Sequence, residues 1–173
     1  MFKKLLIKEH KKKLSNNQFL ELKKLIHEEN PLTVIASFND VLLKEYLNEC
    51  ILSNLIYLFS CNIKKKIIGY AIFARKPYYL FSEISYLKFK ILKSLIFNFK
   101  FIAILNLVLK YFNLENLLIS KRNKLIIKNN LNLTLLAISD KQQSQGIGTI
   151  FLKKLINKLN KKKTFSYITL ESI

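Results

Sequence analysis

LLAISDKQQSQGIGT, residues 135–149, is the stretch on which the fold turns. An apolar run ends at Ile138, a polar segment follows from Ser139 to Gln145, and Gly146 and Gly148 open a helical pattern. The pattern continues over residues 146–159, with Leu152, Leu155, Ile156 and Leu159 on one face and Lys153, Lys154 and Lys158 opposite. The spacing therefore predicts a strand over 131–139, a tight turn and a helix. The chain has 3 glycines in all, and two of them stand at this junction. The first N–H groups of a helix have no intrahelical partner and lie at the positive end of its dipole, so a phosphate fits there. Glycine side chains do not block a pyrophosphate from the backbone, and Gln143, Ser144 and Thr149 offer side-chain donors. A diphosphate site follows on physical grounds alone.

The kind of diphosphate is narrowed by what is missing. A phosphate loop of the Walker type needs Lys and Ser or Thr after its last glycine, and here Gly148 is followed by Thr149-Ile150. A dinucleotide fingerprint needs a third glycine, which is absent. The pattern that fits is Gln/Arg-x-x-Gly-x-Gly/Ala, present as Gln143-Ser144-Gln145-Gly146-Ile147-Gly148. With an apolar strand before it and an amphipathic helix after it, the segment resembles the GNAT superfamily of acyl-CoA N-acyltransferases. Lys66-Ile67-Ile68-Gly69-Tyr70-Ala71 looks like that family's central hairpin strand.

The resemblance implies acetyl-CoA as co-substrate. The backbone of Leu136, Ala137 and Ile138 would pair with the pantetheine arm like an added strand. Backbone groups of Gln143, Ser144, Gln145, Gly146, Ile147, Gly148 and Thr149 would hold the pyrophosphate. An N–H near Ile138 would stabilise the thioester oxyanion. The expected reaction is acetyl transfer to a primary amine of a small molecule or sugar, by direct attack. That attack needs a base to take the amine proton. Glu83, Glu115 and Glu171 are the weak candidates. The implied fold is α/β, a mixed and mostly antiparallel central sheet flanked by helices.

Outward from the motif, residues 2–8 read as a first strand and residues 17–29 as a helix with Phe19, Leu22, Leu25 and Ile26 on its apolar face. Lys23, Lys24, Glu28 and Glu29 take the opposite face. Ser15 or Asn16 would cap this helix, and Asn30-Pro31 ends it. A second helix is predicted over 40–52 with Asp40 as its cap. Residues 54–60 and 67–74 read as a hairpin around a polar turn at 62–66, with Gly69 marking a bulge or a close backbone approach. A last strand is predicted over 165–170. Residues 1–173 thus form one domain with an aromatic, helical insertion at about 78–113. That insertion resembles those of bacterial GNAT relatives in surface-polysaccharide synthesis, which would suit an amino-sugar acceptor. The family pattern continues past the last strand into a helix with a thiolate-protonating Tyr and a closing hairpin. Here the final helix and strands are missing and Tyr167 lies too early, so a shortened chain, or a partner chain completing the sheet, is expected.

The net charge is +19, almost all of it from Lys. Only Arg75 and Arg122 could give the bidentate contacts that nucleic-acid binders favour, which argues against nucleic acid. Such a charge would still draw the protein to an anionic membrane. Residues 94–109 are apolar but interrupted by Lys100, Asn98 and Asn106, and fall short of the roughly 20 residues a span requires. The expected location is the cytoplasm, with peripheral contact at the inner membrane face. Cys50 and Cys61 read as reduced thiols, His10 and His27 as surface positions, and no residues cluster as a metal set. Two other readings stay open: a catalytically inactive, shortened protein that keeps the fold or binds a membrane surface, and a polyanion-binding module.

Overall fold

A computed structural model describes residues 5–52, 56–74, 90, 93, 130–161 and 167–170. Its centre is a five-stranded sheet in the order β1-β2-β3-β4-β5. β1 (Leu6–His10), β2 (Ile56–Ile63), β3 (Lys66–Ala74) and β4 (Asn130–Ile138) pair antiparallel in succession. β5 (Tyr167–Leu170) joins β4 in parallel, from Asn130↔Tyr167 to Leu133↔Leu170. The sheet is therefore mixed and mostly antiparallel, as the sequence implied.

Both faces of the sheet are covered, and the sequence shows why. The runs IYLF in β2 and IIGYAIFA in β3 are apolar at successive positions, the pattern of strands buried on both sides. Side chains alternate between faces along a strand. Leu58, Tyr70, Ile72 and Ala137 meet two helices, α1 (Asn16–Glu29) and α2 (Asp40–Leu52), through Leu22, Leu25, Ile26, Leu43, Leu47 and Cys50. Phe59, Ala71, Phe73 and Ile138 meet α3 (Ile147–Asn160) through Ile147, Phe151, Leu155 and Leu159. Each large apolar side chain so buried contributes about 1.5–3 kcal/mol.

α1 starts with a reciprocal cap: Ser15 Oγ accepts from the Gln18 N–H, and Gln18 Oε1 accepts from the Ser15 N–H. α2 corrects an expectation. Its cap is Asn39, whose Oδ1 accepts from the Leu42 N–H at 2.9 Å, while Asp40 is already the first helical residue. Outside these elements, Lys90 holds Glu45 of α2 through Nζ at 2.9 and 3.0 Å. Apart from Lys90 and Lys93, the expected insertion at 78–113 lies outside the described residues, as does the apolar segment 94–109. Among the described residues no helix is long and apolar enough to cross a membrane.

The first strand lies later than the predicted 2–8, and the shift changes the reading of His10. His10 closes β1 opposite Leu58 and is 6% exposed. Its Nε2 lies 2.9 Å from the Oγ of the fully buried Ser60, a diagonal neighbour on the same face. The charges around it in sequence suggested a surface site, but strand alternation turns it inward. Cys50 and Cys61 are not joined in a disulfide; both are buried, and burial pushes the pKa of each thiol up to about 12.

Gly69 stands beside a bulge and at a close approach, and the close approach requires glycine. The β2–β3 register shifts beside it, from Cys61↔Gly69 to Asn62↔Ile67, leaving Ile68 as the extra residue of a bulge. A Cβ on Gly69 would also collide with the Ile138 side chain and lie 2.7 Å from Ala137 O. Gly69→Ala is expected to destabilise the fold by about 1–3 kcal/mol, read from the urea midpoint.

His10 supplies a pH-dependent prediction. Burial, with the Lys8 charge adding, lowers its pKa from 6.5 to about 4. The unfolded chain then binds the proton between those values and the folded chain does not. Stability is full above pH 6.5 and falls by roughly 1–3 kcal/mol as pH drops to 4, after discounting for partial screening. A His10→Leu/Ser60→Ala variant, which removes both polar partners, should lose that part of the acid limb in urea titrations at successive pH values.

Candidate functional site

The chemistry of β4 depends on which way its backbone groups face. The Ser139 N–H donates to Ile68 O at 2.8 Å. Antiparallel pairs alternate between bonded and non-bonded. This bond therefore makes Tyr70↔Ala137 and Ile72↔Leu135 the bonded pairs. Leu136 and Ile138 stand in the intervening pairs, so their N–H and C=O groups face the other edge of β4. That edge is covered by the described residues of β5 only as far as Leu133. Between these regions Thr134 has dropped out of register, since Ile72 pairs with Leu135 and Phe73 with Leu133. Its Oγ1 donates to Ile72 O at 2.9 Å. A bulge of this kind bends the strand and raises its twist.

The uncovered edge leads to a helix N-terminus. After β4, residues Asp140–Gln142 make one 3₁₀ turn, Ser144 takes φ 61, and Gly146 takes φ 70 and ψ 5. α3 then begins at Ile147 with no side-chain cap. The first intrahelical bond runs from the Ile150 N–H to Gly146 O at 3.1 Å. This leaves the N–H groups of Ile147, Gly148 and Thr149 outside the helical ladder. A Cβ at Gly148 would sit 3.8 Å from Ile138 Cγ1, so strand end and helix start are in contact. Among the described residues, Leu136 and Ile138 on the strand edge and Gln143 to Thr149 in the turn and helix start thus line one continuous feature, an open strand edge running into an uncapped helix; Ala137, expected to pair with the pantetheine arm as well, turns its backbone groups to β3 instead.

Two side chains depart from expectation. Gln143 was expected to offer its amide to a phosphate. Instead its Nε2 lies 2.9 Å from Ile138 O, 2.8 Å from Asp140 Oδ1 and 3.1 Å from Glu29 Oε2. Glu29 is the residue the sequence reading missed, having been placed on a solvated face. It ends α1, and its Oε1 accepts from the Asp140 N–H at 3.0 Å. Partial burial, followed by the charge of Asp140 against its own, raises its carboxyl above the ordinary range, while the Asp140 N–H opposes the rise. A signal was available: acids in the last turn of a helix run against its dipole and need another partner. Beside it, Asn30 Nδ2 donates to the hydroxyl of buried Tyr70 at 2.9 Å. Ser144, Gln145 and Thr149 are exposed. Glu83, Glu115 and Glu171 lie outside the described residues.

No protein-family profile and no curated protein matches the sequence. Solved structures do match. The aminoglycoside N-acetyltransferase AAC(6')-Iy, determined in complex with CoA, aligns over 100% of this chain and 80% of its own, with a TM-score of 0.56 at 9% identity. An aminoglycoside acetyltransferase from an uncultured soil metagenomic sample, in complex with trehalose, covers 98% and 78% with a TM-score of 0.54 at 16% identity. A GNAT family acetyltransferase from Staphylococcus aureus covers 98% and 87% with a TM-score of 0.53 at 13% identity.

The fold is that of the GNAT acetyltransferases.

At these identities the likeness establishes architecture and no more. In this GNAT fold the Gln-x-x-Gly-x-Gly motif occupies the β4–α3 turn, and the hairpin strand anticipated from residues 66–71 is β3. Ser144 holds a left-handed conformation that costs a non-glycine residue about 1–2 kcal/mol. Ser144→Gly is therefore expected to raise stability by about 0.5–1 kcal/mol in urea unfolding, once the added entropy of the unfolded glycine is subtracted.

Proposed function

We propose that this protein binds acetyl-CoA along the open edge of β4 and transfers the acetyl group to a primary amine, with an amino sugar as the acceptor. One observation carries the reading: the outward-facing backbone of Leu136 and Ile138 leads directly to the uncapped N-terminus of α3. The pantetheine amides would bond to that edge as an added strand would. The pyrophosphate would take the N–H groups of Ile147, Gly148 and Thr149, where the helix dipole favours an anion. Aminoglycoside acetyltransferases among the structural neighbours support the amino-sugar choice.

The chemistry then follows from the substrate. The neutral amine attacks the thioester carbonyl carbon, the C–S bond breaks, and CoA leaves as thiolate. The amine proton passes to a base or to water. An outward N–H of Leu136 or Ile138 would donate to the oxyanion as the carbonyl becomes tetrahedral. No covalent intermediate on the protein is required.

Calorimetric titration with acetyl-CoA tests the site. Gly148→Ala should retain binding, since the added methyl makes only an ordinary contact with Ile138. Gly148→Asp should lose affinity at least tenfold, because its carboxylate meets the pyrophosphate. A well-folded parent that does not bind would exclude the reading.

A further inference from the structure

We infer that Glu29 is a positioning residue for acyl-CoA, holding the turn between β4 and α3 in its binding conformation from the end of α1. The inference rests on the acetyl-CoA reading above and adds a residue remote in sequence from the motif. One carboxylate reaches two points of the turn: Oε1 takes the Asp140 N–H at 3.0 Å and Oε2 takes Gln143 Nε2 at 3.1 Å. The same Gln143 amide donates to Ile138 O at 2.9 Å, on the open edge of β4. Glu29 is thereby tied, through a single side chain, to the strand edge on which pantetheine would lie.

The turn needs such a tether. Ser144, next in the chain after Gln143, stands at φ 61, and a left-handed non-glycine residue persists only where its surroundings hold it. Gln143 Nε2 carries two hydrogens, and three acceptors surround it: Ile138 O, Glu29 Oε2 and Asp140 Oδ1. The amide is therefore fully engaged in fixing the turn and leaves phosphate binding to the backbone. Glu29 itself gains nothing from its own helix, because its charge opposes the dipole at the C-terminal end. The contacts that offset this position are the two to the turn.

The experiment is a double-mutant cycle on acetyl-CoA affinity, by calorimetry, with the parent, Glu29→Ala, Gln143→Ala and the double variant. Thermal unfolding of each is followed alongside. Glu29→Ala should weaken acetyl-CoA binding by roughly five- to twentyfold, the range for charge-assisted hydrogen bonds at a partly exposed site. The double variant should lose less than the two single losses combined, because the Glu29–Gln143 contact is shared while that of Glu29 with the Asp140 N–H is not. Glu29→Gln keeps an acceptor for the Asp140 N–H but turns an amide toward the Gln143 amide, and should fall between parent and Glu29→Ala. It carries the test if the alanine variant folds poorly. Glu29→Ala with a lower unfolding midpoint and unchanged affinity would overturn the inference, as would strictly additive losses. Failure of the parent to bind acetyl-CoA would instead remove the reading on which the inference rests.

Discussion

Thr134 stands outside the β3–β4 register, and its hydroxyl is spent on Ile72 O. Much of the molecule depends on that dislocation. Before it, β4 is an interior strand, bonded to β3 on one side and to β5 on the other. After it, β4 keeps β3 but has no described strand along its second edge. Unpaired strand backbone is ordinarily a liability that invites another strand. Among the described residues the unpaired length is short and ends at a helix start, and the occupant proposed for it is an extended, amide-bearing ligand with an anionic end. Pantetheine joined to pyrophosphate has that chemistry.

The core on both faces serves this geometry. α1 and α2 on one side, and α3 on the other, fix β3 against β4 closely enough that only glycine fits at position 69. Ile138 is where these demands meet. Its side chain belongs to the α3 cluster, it limits the space at Gly69, and it lies against the start of α3 at Gly148. Its carbonyl anchors Gln143. Packing and polar contacts therefore converge on the residue at the junction of strand edge and helix terminus.

Much of this was legible in the residues because it depends on local pattern. The two-sided apolar runs in β2 and β3, the amphipathic faces of α1 and α3, and the paired glycines after β4 each state their structure over a few positions. What was not legible depends on tertiary neighbours. His10 sits among lysines in sequence and faces Ser60 in space. Glu29 reads as part of a charged helix face, and only the arrival of the β4–α3 turn gives it a role. Lys64 and Lys65 form the tight hairpin turn with φ values of 48 and 68, without the Asn-Gly pair that usually announces one. There the pairing of β2 with β3 overrides the local preference.

The most direct test of the account is backbone amide hydrogen exchange at Leu136, Ala137 and Ile138, with and without acetyl-CoA. In the free protein the Ala137 amide, bonded to β3, should exchange slowly, and those of Leu136 and Ile138 should exchange quickly. Saturation with acetyl-CoA should protect Leu136 and Ile138 and leave Ala137 as it was. If Leu136 and Ile138 stay unprotected at saturation, or are already slow in the free protein, the open edge of β4 is not the site of the acyl-CoA arm.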